Sequence, residues 1–180
     1  MKKLFRIGLV AVVLGCLSAI MLGGCGGPSG MVKYSFKDQG FSIEMPKDWS
    51  KQAGNGNVFF IGLAPKDADD DNFVENINVV VENLTEEITD NNELLKITKD
   101  FITSARQEIK LEDSGLMNIA GHPGAWISMS QPKGDETMNI SQYLVTKGKQ
   151  LYVITCAYSS KAAGKYKPVY DQIIKSFQID

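Results

Sequence analysis

Residues 115–159 read GLMNIAGHPGAWISMSQPKGDETMNISQYLVTKGKQLYVITCAYS and hold the clearest succession of β-strand patterns in the chain. Four segments rich in alternating or continuous apolar residues follow one another, at 115–119, 124–130, 138–146 and 150–159. The turn-forming triplets His122-Pro123-Gly124 and Lys147-Gly148-Lys149 lie between neighbouring segments. Because consecutive strands joined by short turns pair antiparallel, this stretch predicts a mostly antiparallel sheet.

Three more strands are expected before this stretch, at residues 34–45 with a turn at 38–40, at 58–63 and at 77–81. Asp90 and Glu93 have the spacing of a capping box, and the apolar residues that follow recur at helical spacing. We therefore expect a helix that extends to about Ile109. A second amphipathic helix is expected to start near Tyr166–Lys167, since Pro168 fits a first helical turn. About seven strands and two helices predict one α+β domain.

The first 24 residues differ from the rest of the chain. Lys2, Lys3 and Arg6 precede an uncharged apolar run at residues 7–22, which is the architecture of a secretory signal peptide. The run ends in Leu22-Gly23-Gly24-Cys25, which resembles the lipobox of bacterial lipoproteins. That resemblance implies diacylglycerol on the Cys25 thiol and cleavage before Cys25. Plain secretion, an uncleaved membrane helix and a rival site at Cys16 remain alternatives.

The predicted organisation is a signal peptide at 1–24, a lipidated cysteine and flexible tether at 25–31, and a folded domain at 32–180. Gly and Ser dominate the tether and bury little surface, so the domain is expected to sit close to an extracytoplasmic membrane surface. The whole chain has 19 Lys and Arg against 21 Asp and Glu. Removing residues 1–24 removes three cations, so the mature net charge of 16 − 21 is −5. An acidic domain argues against nucleic-acid binding, which requires a basic surface.

Catalytic constellations are sparse in the sequence. His122 is the single histidine, and the chain has no G-x-S-x-G nucleophile elbow. A nucleophile pair of His122 with Cys156 is formally possible, which keeps a hydrolase as the weakest alternative. Cys156 lies in a strand pattern whose alternate residues are apolar, which favours a buried core thiol. We therefore expect a protein that is not an enzyme, with no catalytic residues and no cofactor besides the lipid on Cys25.

The densest run of charge is acidic. It comprises Asp67, Asp69, Asp70, Asp71 and Glu75. Carboxylates in such a cluster could bind Ca²⁺, and Asp67, Asp69 and Asp71 are the weak metal candidates. The spacing departs from the EF-hand loop, where a glycine and a glutamate are needed at the positions of Asn72 and Asn78. The favoured interpretation is a solvated loop, with a Ca²⁺-binding or small-ligand module as the alternative.

Aromatic residues are the remaining candidates for a binding surface. Those that could line a ligand groove are Trp49, Phe59, Phe60, Trp126, Tyr143, Tyr152 and Tyr158. Such residues more often form the core or cross-strand pairs. A sheet face that the helices leave uncovered is the expected partner surface, but periodicity does not identify which face that is.

The order of four short motifs resembles PsbP-like and DcrB-like domains. These motifs are Gly40-Phe41-Ser42-Ile43-Glu44-Met45-Pro46 with Trp49, residues 71–79 (DNFVENINV), Ile119-Ala120-Gly121-His122-Pro123-Gly124, and Ile173-Ile174-Lys175-Ser176-Phe177. The resemblance implies an α/β/α sandwich around an antiparallel sheet and an accessory or binding role. The resulting expectation is a lipid-anchored, non-enzymatic lipoprotein of the cell envelope that contacts membrane lipid and an unidentified envelope protein.

Overall fold

A computed structural model describes residues 30–66, 73–105 and 108–180. The strands are β1 (Met31–Phe36), β2 (Phe41–Pro46), β3 (Ser50–Gln52), β4 (Val58–Leu63), β5 (Asn76–Asn83), β6 (Lys110–Ile119), β7 (His122–Lys133), β8 (Glu136–Lys147), β9 (Gln150–Ser159) and β10 (Gln178–Ile179). The helices are α1 (Asn91–Ala105) and α2 (Ala163–Ser176), and 3₁₀ turns lie at Lys37–Gln39 and Ser160–Ala162.

The strands form two sheets. The larger sheet has seven strands in the order β3-β4-β5-β9-β8-β7-β6, and the smaller has three in the order β1-β2-β10. All pairings in both sheets are antiparallel. The predicted α+β class, with a mostly antiparallel sheet and two main helices, is therefore confirmed.

The central strand β9 shows how the layers are built. Its side chains alternate between two apolar clusters, with Tyr152 and Ile154 in one and Leu151 and Val153 in the other. The first cluster also contains the buried face of α2 and the residues of β2. The second contains Leu94 and other residues of α1. The seven-stranded sheet is thus the middle layer, with α2 and the small sheet on one face and α1 on the other.

Two hydrogen-bonded residues fix α2 to both sheets. The Tyr170 hydroxyl lies 2.8 Å from the carbonyl oxygen of Ala157 in β9 and 3.0 Å from that of Asn76 in β5. At the other end of the helix, the Glu44 backbone N–H of β2 donates to Ser176 Oγ at 2.9 Å. These contacts connect α2 to the centre of the large sheet and to the small sheet.

The turn between β6 and β7 differs from the sequence prediction. It is formed by Ala120 and Gly121, with φ angles of 52° and 81°, while His122 and Pro123 already belong to β7. Positive φ at both central positions is the signature of a type I′ hairpin turn, and Gly121 adopts this conformation without strain. The prediction of a turn at His122-Pro123-Gly124 was therefore wrong by two residues.

Helix boundaries also differ from the prediction. The structure gives α1 only as far as Ala105, and Ile109, expected as its last apolar residue, directly precedes β6. Ile109 is nevertheless buried in the same cluster as α1, so its apolar character reflects packing in the connection. The second helix starts at Ala163, before the predicted Tyr166, because the 3₁₀ turn Ser160–Ala162 leads directly into it. The short strands β3 and β10 were not predicted.

Candidate functional site

Several sequence candidates lie outside the described residues. They are Cys25 with the rest of residues 1–29, and the acidic residues Asp67, Asp69, Asp70 and Asp71. Glu75, the last carboxylate of that acidic run, is described and is only 1% exposed. Its Oε1 accepts a hydrogen bond of 3.3 Å from the backbone N–H of Ser159. The expectation of a solvated loop is thus wrong for Glu75, which is an interior group.

The pair of His122 and Cys156, which the sequence left formally possible, does not form. Cys156 lies opposite Ser141, which lies opposite Ser128, and His122 is six residues from Ser128 along β7. At ~3.4 Å per residue, His122 is therefore about 20 Å away along the strands. The thiol is 1% exposed, and burial raises its pKa well above the ordinary value, with the charge of Asp171 adding to the effect. It is a core group, as the sequence predicted.

Most of the candidate aromatic residues belong to the core on the α2 side. Trp49, Phe60, Tyr152 and Tyr158 are buried there, and Phe59 packs against the same cluster. Trp49 makes edge contacts with two tyrosines of α2, at ring-centroid distances of 5.6 and 6.0 Å. Their role is to hold α2 against the sheet. Two candidates remain, namely Tyr143, which packs against the edge of the same cluster, and Trp126.

Trp126 lies on the part of the sheet that α2 does not cover, and Tyr143 lies at the border of that part. α2 packs over β9 and β2, whereas α1 packs on β6 and β7 from the opposite side. The α2-side surface of β6, β7 and β8 therefore carries half-buried side chains, and no described helix lies over it. We call this surface the open face. Its half-buried residues are Gly115, Met117, Trp126, Ser128, Ser130, Asn139, Ser141 and Tyr143.

The pairing register arranges the open face in rows. Trp126 lies between Gly115 and Tyr143, and Ser128 lies opposite Ser141 in the next row. Ser130 and Asn139 form a third row. Two aromatic side chains thus lie next to two rows of small hydroxyl and amide side chains. A partner could make apolar contacts with the aromatic rings and hydrogen bonds with the polar groups.

The two aromatic side chains of the first row lean in opposite directions. A Cβ atom built on Gly115 would lie 2.9 Å from Trp126 Nε1, so the indole lies directly against this glycine of β6. Tyr143 is instead hydrogen-bonded to Ser141 and is close enough to Asp171 of α2 to feel its charge. Burial is the main reason that the pKa of Tyr143 is raised, and neighbouring charges add to it. The phenol therefore stays protonated at neutral pH and can donate a hydrogen bond.

One corner of the open face is acidic. Glu112 of β6 accepts a hydrogen bond of 2.6 Å from Ser130 Oγ and an ion-paired one of 2.9 Å from Lys110 Nζ. Both hydrogen bonds lower the pKa of Glu112, and the one from Ser130 has the larger effect. The carboxylate is therefore charged at neutral pH. Asp113 is exposed beside it. The open face therefore combines aromatic, hydroxyl and anionic groups.

Sequence reasoning missed a buried polar row on the α1 side. Gln142, Thr155 and Asn78 lie opposite one another on β8, β9 and β5, and each is at most 4% exposed. Gln142 Nε2 donates to Thr155 Oγ1 at 3.2 Å. The signal was present as polar residues at inward strand positions, but alternation alone reads such positions as solvent-facing. The row specifies strand register, since a slip of one residue would move it to the other face.

Within the described ranges, no helix is long and apolar enough to cross a membrane. In the same part of the chain, no group of three or more His, Cys, Asp and Glu side chains could hold a metal ion. The groups that the structure brings together on the open face can bind a partner by stacking and hydrogen bonding.

Comparison with protein families gives one match. The family model described as PsbP-like protein matches residues 28–179. No curated protein sequence matches the chain.

Solved structures with the same fold come from several bacteria. The solution structure of cyanobacterial PsbP (CyanoP) from Synechocystis sp. PCC 6803 is 17% identical, with a TM-score of 0.64 over 88% of this chain and 99% of that chain. LpqN of Mycobacterium tuberculosis, described as involved in cell envelope biogenesis, is 14% identical, with a TM-score of 0.61 over 77% and 82%. PA94 of Pseudomonas aeruginosa, a putative regulator of unknown function, is 12% identical, with a TM-score of 0.57 over 82% and 96%. At these identities the likeness concerns the fold.

Proposed function

Because the chain belongs to the PsbP-like protein family, we propose that it is a lipid-anchored lipoprotein of the cell envelope that acts by binding another envelope protein through the open face. The proposed anchor is diacylglycerol on Cys25, after removal of residues 1–24. Membrane lipid is then a partner of the anchor, and the folded domain has no catalytic role and no further cofactor. The resemblance of the sequence to DcrB-like domains remains a prediction.

The observation that carries this proposal is the uneven covering of the large sheet. Apolar side chains on β9 are buried on both faces, whereas Trp126 on β7 and Tyr143 on β8 are only partly buried. Trp and Tyr are enriched where proteins bind one another, and they dominate the binding energy of many interfaces. The signal-peptide pattern and the lipobox resemblance support a position outside the cytoplasm. LpqN, which shares the fold, is described as involved in cell envelope biogenesis, and this supports the same compartment.

Affinity capture from detergent-solubilised membranes tests the binding surface. We expect the wild-type chain to retain a partner at near-stoichiometric levels. Ser128→Arg places a long cation in the middle of the open face and is expected to reduce capture by about tenfold or more. Ser35→Arg makes the same change at an exposed position of β1 and is the matched control. Equal capture by the wild type and Ser128→Arg, with both folded, would exclude the open face, and no partner would exclude the proposal.

The anchor is tested separately by Cys25→Ala. We expect this variant to accumulate unprocessed and to lose the lipid that the wild-type chain incorporates, because the thiol is the proposed acceptor. Lipid labelling in cells measures the difference, and Cys16→Ala is the control that addresses the rival cleavage site. Unchanged labelling of Cys25→Ala would contradict the proposed anchor without affecting the test of the open face.

A further inference from the structure

The two edges of the seven-stranded sheet are built differently. At one edge β3 has three residues, and such a short strand offers little backbone for pairing with another chain. At the other edge β6 has ten residues. Its first part is protected by the charges of Lys110, Glu112 and Asp113 and by an irregularity between Leu111 and Asp113. The second part, residues 114–118, reads SGLMN and contains neither a charge nor a proline.

The β6–β7 turn determines which backbone groups point outward. In a two-residue hairpin the flanking residues, Ile119 and His122, form a hydrogen-bonded pair. Hydrogen bonding alternates along an antiparallel ladder, so Met117 and Gly115 also bond towards β7. Ser114, Leu116 and Asn118 therefore direct their N–H and C=O groups away from the sheet, where the Ser114 N–H donates to Asp113 Oδ1 at 2.7 Å. They form a row of donors and acceptors with which a further strand can pair.

We propose that residues 114–118 of β6 pair antiparallel with the same segment of a second copy of this chain, about a two-fold axis at Leu116. Leu116 then faces Leu116 of the second copy, and Ser114 faces Asn118. The outward groups of Leu116 complete one another's hydrogen bonds across the axis, and those of Ser114 and Asn118 do so when the Ser114 N–H exchanges the Asp113 carboxylate for the Asn118 carbonyl of the second copy. Leu116 is 50% exposed, one of two large hydrophobic residues exposed in the described part of the chain, and this pairing covers it.

The side chains explain why the occupant is a second copy in this register. On the open face, Met117 lies opposite Gly115 of the second copy, which has no side chain of its own. The Trp126 indole lies against that glycine, so the Met117 thioether reaches an aromatic ring edge, a favourable contact for sulfur. An axis at Gly115 would place Leu116 opposite Ser114 and Met117 opposite Asp113. The axis at Leu116 pairs the two exposed leucines with each other, pairs polar Ser114 with polar Asn118, and opposes no like charges within residues 114–118.

The pairing also extends the open face. The two-fold axis of an antiparallel strand pair is normal to the sheet, so both open faces lie on the same side. Together the two open faces form one continuous surface of six strands, β6, β7 and β8 of each copy, between the α2 helices of the two copies. This consequence rests on the proposed function, whereas the pairing itself does not. Five paired residues per copy make a small interface, so we expect the dimer to be weak in dilute solution and favoured where tethering raises the local concentration.

Disulfide cross-linking of the purified full chain in detergent tests the register. Directly opposed residues of a hydrogen-bonded pair have Cα atoms about 5.5 Å apart, which suits a disulfide. Under oxidation, Leu116→Cys is expected to increase the covalent dimer about tenfold over the wild type, whose own cysteines set the background. Ser114→Cys alone is expected to stay at background, because its two copies lie about 15 Å apart. Combining Ser114→Cys with Asn118→Cys is expected to restore the dimer.

Val32 provides the matched control, since it is the other exposed large hydrophobic residue, at 40%, and lies on β1. Val32→Cys is expected to stay at background in the cross-linking experiment. In sedimentation, Leu116→Lys is expected to weaken the affinity of the dimer at least about tenfold, whereas Val32→Lys is expected to leave that affinity unchanged. Background cross-linking by Leu116→Cys, or equal cross-linking by Val32→Cys, would overturn the pairing. Cross-linking at Leu116 without partner capture would overturn the proposed function and leave the pairing intact.

Discussion

At the scale of single residues, the motifs that identify the family act in the fold. Gly40 takes a left-handed conformation with φ of 66° at the end of the 3₁₀ turn Lys37–Gln39, where glycine is favoured. Phe41 and Phe177 are fully buried and stack on each other at a centroid distance of 5.6 Å. The family signature therefore describes a core and its turns. The open face is formed by residues outside most of that signature.

Tyr170 is the residue whose polar contact is most easily tested. Its hydroxyl is hydrogen-bonded inside the core to two backbone carbonyl groups of β5 and β9. Tyr170→Phe keeps the ring but leaves those carbonyls without this donor, which is expected to lower the free energy of unfolding by about 1–2 kcal/mol. Tyr34→Phe is the matched control, since the Tyr34 hydroxyl makes no hydrogen bond within the described residues. Urea denaturation measures both variants, and equal stabilities would contradict this role of Tyr170.

At the scale of elements, Pro168 is an unusual feature of α2. It is the sixth residue of the helix, where it removes one backbone hydrogen bond and crowds the carbonyl of residue 164. Pro168 is exposed, so no packing depends on its ring. Pro168→Ala is therefore expected to raise the free energy of unfolding by about 1 kcal/mol, because the restored helix outweighs the greater entropy of the unfolded chain.

Thermal and denaturant unfolding measure this difference, with Lys167→Ala at the neighbouring exposed position as the control. A lower free energy of unfolding for Pro168→Ala than for the wild type would contradict the prediction and show that the proline stabilises the helix at this position. Circular dichroism distinguishes the two cases, since a restored hydrogen bond increases the helical signal.

The elements that sequence reasoning predicted are those with long patterns. The four strands from β6 to β9 and both amphipathic helices have runs that identify them, and each was found near its predicted place. The strands that were missed, Ser50–Gln52 and Gln178–Ile179, have no pattern of their own and exist because a neighbouring strand edge pairs with them. The turn at Ala120-Gly121 was misplaced because His122-Pro123-Gly124 carries the stronger local signal.

The candidate site could be anticipated only in part. Alternation predicted that some aromatic residues stand on a sheet face, but both faces of the large sheet are partly covered by helices. Which face stays open follows from where α1 and α2 pack, a tertiary property that no local pattern contains. Glu75 illustrates the same limit, because its burial results from packing against Ser159, 84 residues away in the chain.

At the scale of the whole molecule, the core between the large sheet and α2 contains several weakly acidic groups. Burial is the main reason that the pKa values of Cys156, Tyr152, Tyr158 and Tyr170 are raised in the folded protein. The pKa of Tyr143, which lies at the edge of this core, is raised for the same reason. A raised pKa means that the folded protein retains a proton that the unfolded chain releases at alkaline pH. The core on the α2 side is therefore the part of the molecule most sensitive to alkali.

The sign of the effect follows from linkage. Below pH 9.0, the ordinary pKa of the thiol, both states of Cys156 are protonated and its contribution to stability is complete. As the pH rises above that value, the unfolded chain ionises first, so the free energy of unfolding falls. The tyrosines add to this fall above pH 10.0. Each fully buried group contributes a slope of about 1.4 kcal/mol per pH unit above its unfolded pKa.

We therefore expect the free energy of unfolding, measured with urea under reducing conditions, to fall progressively from pH 9 to pH 11. Cys156→Ala removes the thiol and is expected to reduce the slope above pH 9 by about 1.4 kcal/mol per pH unit, whatever its effect on stability at neutral pH. Tyr170→Phe is expected to reduce the slope only above pH 10, because the phenol of the unfolded chain ionises later. A flat profile up to pH 11 would contradict the burial of these groups. An unchanged slope in Cys156→Ala would show that the thiol reaches solvent in the folded state, which would undo its assignment to the core beneath α2.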